Sequence, residues 1–203
     1  MSRLTLSALL VGGLLVGGLA AVALVPDIRE RLLPKDAARS VGQALVGGPF
    51  TLTDHTGRRV TEADYRGKYM LVFFGFTYCP DVCPTALQSV AAALDLLGPK
   101  ADRVVPLFVT VDPERDTPEQ LAQYVSSFSP RLVGLTGSRA EIDTVLKEYR
   151  VYAQRVDDPK STAGYTMNHS SIVYVMGMDG AYRTHFTHAT SAETIAERLA
   201  KLL

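Results

Sequence analysis

The sequence predicts an α/β domain with helices on both faces of a mixed sheet. An unbroken apolar run at residues 69–74 and a mainly apolar one at residues 104–111 suit strands covered on both faces. Segments with apolar residues at helical spacing alternate with such runs along the chain, which is the order of a layered α/β fold.

The elements follow in order. Phe50-Thr51-Leu52-Thr53 alternates apolar and polar, and Asp54-His55-Thr56-Gly57 with Val60 completes a hairpin signal. Residues 69–74 form a central strand. Leu87, Val90, Leu94 and Leu97 recur at helical spacing, and residues 104–111 are the next buried strand. Thr117 caps a helix with Pro118 at its first position and Gln120 completing a capping box. Leu121, Val125 and Phe128 supply its apolar face. Residues 132–135 form a short strand. Ser138 with Glu141 caps a helix that turns Ile142, Val145, Leu146 and Tyr149 inward. Residues 171–176 and 181–186 pair across Met178-Asp179-Gly180. Thr190 with Glu193 caps a last helix carrying Ile195, Leu199 and Leu202.

A length of 203 residues fits one domain plus an anchor or tail. Lys and Arg number 21 against 21 Asp and Glu, so the basic footprint of a nucleic-acid binder is absent. Residues 4–25 carry no charge, and about 20 apolar residues cross a bilayer. This run reads as a retained transmembrane anchor. A cleaved signal peptide is the alternative, since Ala21-Val22-Ala23 resembles a cleavage site, but the run exceeds a usual signal core. No cysteine follows it as a lipoprotein would require. Gly13 and Gly17 have the spacing of a helix-pairing motif. The basic residues after the span outnumber those before it, so charge alone does not favour export of the domain. Residues 26–47 read as a linker.

The only two cysteines, Cys79 and Cys83, are too close in sequence to join distant parts of a fold, which leaves redox chemistry or metal binding. They lie between a buried strand and a helix, where open α/β sheets place ligands. The helix N-terminus favours thiolate, and three intervening residues put both sulfurs one turn apart on the same face. Soft thiolates select Cu(I), with Zn as competitor. Two sulfurs leave a metal short of donors, and His169, in a loop before the strand at Ser171, is the best third candidate. His55, His185 and His188 read as solvated, and Met176 and Met178 as packing residues. Asp112 and Asp116 read as loop and capping residues.

Three motifs then carry a family resemblance. Gly75-Phe76-Thr77-Tyr78-Cys79-Pro80-Asp81-Val82-Cys83-Pro84, Val111-Asp112-Pro113-Glu114-Arg115-Asp116-Thr117-Pro118 and Asn168-His169-Ser170 resemble the Sco/SenC family, over residues 48–203. The resemblance implies a thioredoxin-like fold with an N-terminal hairpin. It implies copper, as Cu(I) or Cu(II), held by Cys79, Cys83 and His169. It implies a metallochaperone for the dinuclear copper site of cytochrome c oxidase subunit II. The domain would face the periplasm from the inner membrane, or the mitochondrial intermembrane space. Subunit II, a thioredoxin-like reductase and another periplasmic copper chaperone are the implied partners. The family often has Asp where this chain has Asn168. Thioredoxins proper use a shorter Cys-x-x-Cys and a cis-proline facing it, and no proline lies between Thr162 and Ser171.

Two other activities compete. Cys79 and Cys83 could cycle as a thiol-disulfide oxidoreductase that reduces the cysteines of the oxidase site. Val82-Cys83-Pro84-Thr85 echoes peroxiredoxins, but Pro80 stands where those enzymes place Thr.

Overall fold

A computed structural model describes residues 45–159 and 163–203. The anchor expected at residues 4–25 and most of the expected linker lie outside the described residues. Among the described residues no helix is long and apolar enough to cross a membrane. The compact unit described here spans Leu45–Leu203.

The strands are β1 (Thr51–Asp54), β2 (Arg59–Thr61), β3 (Tyr69–Gly75), β4 (Val104–Thr110) and β5 (Val133–Thr136), then β6 (Ala153–Asp157), β7 (Tyr165–His169), β8 (Ile172–Met176) and β9 (Tyr182–Thr187). The helices are α1 (Val82–Leu97), α2 (Pro118–Ser126), α3 (Arg139–Glu148) and α4 (Ala192–Ala200). Seven strands form one mixed sheet in the order β2-β1-β5-β4-β3-β8-β9. β3, β4 and β5 run parallel, and the other pairings are antiparallel. The succession β3-α1-β4, closed by β8-β9-α4, is a thioredoxin-like core with the hairpin β1-β2 added beyond β5.

β3 is buried because it is central, flanked by β4 and β8. Its successive side chains face opposite layers. Phe73 meets Phe108 of β4, which meets Tyr124 of α2. Phe74 meets Tyr149, just past α3, and Tyr174 of β8. Helical elements thus cover both faces, as the alternating pattern predicts. Tyr149, Phe73, Phe74 and Phe108 are among the largest fully buried side chains. α4 packs along α1.

Local chemistry sets the element ends. Ser138 Oγ accepts from the Glu141 N–H, and the Glu141 carboxylate returns a bond to the Ser138 N–H, completing a capping box. At α2 only half of the predicted box forms: Thr117 Oγ1 accepts from Gln120 N at 3.2 Å. The cap of α4 is Ser191, one residue later than predicted, because Thr190 Oγ1 is engaged by the Thr187 N–H. His55 is not simply solvated. Its Nδ1 accepts from the Gly134 N–H at 3.1 Å, a bond that secures the hairpin to β5.

The largest departure from the sequence reading is a second sheet. β6 and β7 pair antiparallel with each other and, among the described residues, with no other strand. Arg150 adopts φ 57° at the end of α3, and Val151 N donates to Leu146 O at 2.8 Å. This left-handed turn closes the helix and launches β6.

Gly75, the last residue of β3, leaves room for the cysteine helix. A Cβ there would lie 2.7 Å from Cys83 Sγ and 2.8 Å from the Phe108 ring. Both are closer than packed atoms tolerate. Gly75→Ala is expected to cost about 1–3 kcal/mol, the usual penalty for overpacking. Thermal melting should show a fall of several degrees, and Cys83 should react faster with thiol reagents because its sulfur is displaced. An unchanged melting temperature would remove this constraint.

Candidate metal centre

The cysteine segment is shaped by its own backbone bonds. Cys79 precedes α1 and Cys83 is the helix's second residue. The two are therefore not one turn apart on a helix face, as their spacing suggests. Instead the Cys83 N–H donates to Cys79 Sγ at 3.4 Å, so the sulfur caps the helix start. Cys79 N donates to Phe76 O at 3.2 Å, which folds the segment into a turn. Cys83 is wholly buried, Cys79 is half-buried, and both are free thiols.

His169 comes from the last residue of β7, not from a loop. Its side chain is ordered on three sides. Phe76 and Phe73 present rings to the imidazole at centroid distances of 5.8 and 6.2 Å, both edge-on. Nδ1 lies 3.1 Å from the Ser170 carbonyl oxygen, and Nε2 lies 3.5 Å from Cys83 Sγ. A carbonyl oxygen can only accept, so Nδ1 carries the proton. In the neutral imidazole this leaves the lone pair on Nε2, on the side of the sulfurs, which is the tautomer a metal-binding imidazole needs.

The donor atoms of Cys79, Cys83 and His169 all lie within 4.8 Å of one another. Three donors at these separations can converge on one ion, and two soft sulfurs with one imidazole suit copper or zinc. The fit is therefore good in both geometry and donor type.

The two thiols differ sharply. Cys79 is pulled down to about 4, first by the hydrogen bond from the Cys83 thiol and then, against the opposing effect of burial, by the Cys83 and Asp81 N–H groups. Cys83 is pushed up, because its proton is held by Cys79, its sulfur is buried, and the negative charge of Cys79 opposes a second one. The pair thus shares one proton, and the more accessible sulfur carries the charge.

Asp112 and Asp116 do more than cap. Asp116 is fully buried, and it accepts from Thr77 N at 3.1 Å, Thr77 Oγ1 at 2.6 Å and Thr110 Oγ1 at 2.6 Å. Burial raises its pKa, and these bonds oppose the rise. Thr77 lies two residues before Cys79, so Asp116 holds the turn that carries the sulfur. Asp112 accepts from the Tyr165 hydroxyl at 2.9 Å and pairs with Arg115. The sequence signal for both was a carboxylate on each side of Arg115, just beyond a buried strand.

The other histidines stand apart. His185 is exposed, stacked on Tyr182 with Nδ1 2.6 Å from its hydroxyl. His188 lies in the turn after β9, and Met176 is buried in the core. A cleft of about 350 Å³ opens beside the three donors, lined by Phe76, Cys79, Pro80, Val82, Tyr152 and Met167 among others. It gives the half-buried sulfur access to solvent.

Comparison with known proteins agrees with this geometry. The human mitochondrial SCO1 homolog is 42% identical over 185 residues, covering 90% of this chain. That alignment spans only 61% of the human protein's length. The copper-bound structure of Bradyrhizobium japonicum ScoI is 45% identical with a TM-score of 0.72, covering 78% of this chain and 99% of that one. Copper-bound Arabidopsis thaliana ScoI is 39% identical with a TM-score of 0.73, covering 77% and 96%. The family model described as SCO1/SenC matches residues 38–203, so the chain belongs to the SCO1/SenC family.

Proposed function

We propose that this protein binds copper through Cys79, Cys83 and His169 and delivers it during assembly of the dinuclear copper site of cytochrome c oxidase subunit II. The observation that carries this reading is the convergence of two sulfurs and a correctly protonated imidazole within 4.8 Å. Copper is cargo here, and the half-buried position of Cys79 suits handover. An incoming thiolate displaces Cys79 first, then Cys83, with His169 holding the ion between the two exchanges. The copper-bound relatives support the metal, and the motif resemblance supports the oxidase target. Residues 4–25 would anchor the domain to the inner membrane, facing the periplasm, or the intermembrane space in a mitochondrion. Resistance of the full chain to carbonate extraction tests the anchor, and release into the supernatant would count against it.

His169→Ala tests the site. Anaerobic Cu(I) titration of the reduced protein, with Zn(II) in competition, should show affinity reduced by at least the ~10–100-fold that loss of an outer-shell partner costs. The sulfur-to-copper charge-transfer band of the Cu(II) form should change. His185→Ala should match wild type. An unaltered site in His169→Ala would refute the assignment.

The asymmetry of the thiols favours a second role, reduction of the target's cysteines before metallation. Cys79 would attack the target disulfide, and Cys83 would resolve the mixed disulfide, leaving Cys79–Cys83 oxidised and the target dithiol reduced. A thioredoxin-like reductase would restore the pair, since a disulfide cannot ligate copper. Because the folded-state pKa of Cys79 lies below its ordinary value of 9.0, its contribution to stability is full above that ordinary value. The contribution shrinks as pH falls and is gone below about 4. Alkylation of Cys79 should accordingly follow a titration with a midpoint near 4 and stay flat from about pH 6 to 8. Mass spectrometry should find Cys83 unmodified over that range. Equal labelling of both cysteines at neutral pH would refute the division of roles.

A further inference from the structure

His169 stands at the end of an arm. β6 and β7 share no ladder with the seven-stranded sheet, so main-sheet hydrogen bonds do not hold the third donor in place. Along β7, alternate residues turn to one side. Met167 is buried, and His169 reaches Cys83. Tyr165 is gripped by the segment that follows β4. Its hydroxyl donates to Asp112 Oδ1 at 2.9 Å, and its carbonyl accepts from Arg115 Nη1 at 3.1 Å. The Arg115 guanidinium lies 3.6 Å from the centre of the Tyr165 ring, and that of Arg155 lies 3.8 Å from it. Asp112, almost fully buried, in turn accepts from Arg115 Nε.

We infer that Arg115, through Asp112 and Tyr165, is a positioning residue that sets where β7 presents His169 to the two sulfurs. This rests on the reading of His169 as the third donor. Three observations support it. The same short turn holds both halves of the site: Asp116 fixes Thr77 on the cysteine side, while Asp112 and Arg115 fix Tyr165 on the histidine side. Four strand steps, at about 3.3 Å each, separate Tyr165 from His169, so along β7 Arg115 acts at a distance, while its guanidinium also lies 4.6 Å from the centre of the Tyr78 ring and 5.9 Å from that of Phe76 on the cysteine side. Arg115 Nη2 is buried without a hydrogen-bond partner among the described residues. Buried polar groups are mostly satisfied, so an orphan beside the site calls for an explanation other than stability.

Arg115→Lys keeps the charge but loses the planar fork that reaches Asp112 and the Tyr165 carbonyl together while stacking on the ring. Tyr165→Phe keeps the stack and loses only the hydroxyl bond, which makes it the milder companion should Arg115→Lys fold poorly. Hydrogen exchange is read first on metal-free protein. Amides of residues 165–169 should exchange about 10- to 100-fold faster in Arg115→Lys, and by a smaller factor in Tyr165→Phe, with β3 and β4 unchanged. Titration with Cu(II) should then give a shifted or weakened sulfur-to-copper band in Arg115→Lys and a smaller change in Tyr165→Phe. Unaltered exchange at 165–169 in both variants, or acceleration spread evenly over the whole domain with a wild-type copper band, would overturn the clamp. Failure of the wild-type protein to bind copper would refute the proposed function, and the metal-free exchange comparison would still decide the clamp.

Discussion

The buried carboxylate of Asp116 is the joint on which the cysteine turn stands. An ionised carboxylate without partners inside a protein costs several kcal/mol, so it persists only where donors surround it. Here two threonine hydroxyls and one backbone N–H do so. The consequence is mechanical. Thr110 ends β4, Thr77 follows β3, and Asp116 precedes α2, so one side chain ties the carboxyl ends of two central strands to the turn bearing Cys79. The rigid, doubly covered sheet therefore fixes where the first sulfur sits. Gly75 performs the complementary task by leaving space for the second sulfur.

In the proposed role, the site that results would stand between storage and release. One sulfur is buried and keeps its proton, while the other is accessible and anionic. An ion bound to both would be desolvated on the Cys83 side and open to exchange on the Cys79 side. The imidazole, with Nδ1 committed to a backbone carbonyl, presents Nε2 without a change of tautomer. The same asymmetry would suit thiol-disulfide exchange, so the proposed metal transfer and the proposed reduction would draw on one arrangement of atoms.

The central strands, the helices and both cysteines were legible because their signals are local. An apolar run, a 3.6-residue period and a Ser-x-x-Glu box each act within a few residues. β6 and β7 were not legible because β6 is almost wholly exposed and carries no alternation to read. β7 does alternate, with Tyr165, Met167 and His169 on one side, and that period was the available sign that His169 lies on a strand. The roles of Asp112 and Asp116 depend on partners distant in sequence, at Tyr165 and Thr77, which no window on the chain contains. Cys79 was misplaced for a related reason. Spacing alone cannot tell a sulfur on the first turn of a helix from one that caps it.

The central claim is that two sulfurs and one imidazole, drawn from a turn, a helix start and a strand end, close on a single copper ion. X-ray absorption at the copper edge of the copper-loaded protein tests this most directly. The account predicts a first shell of two sulfurs and one nitrogen, with the outer-shell scattering of an imidazole that disappears in His169→Ala. A shell of sulfur alone, or imidazole scattering that survives in His169→Ala, would contradict it.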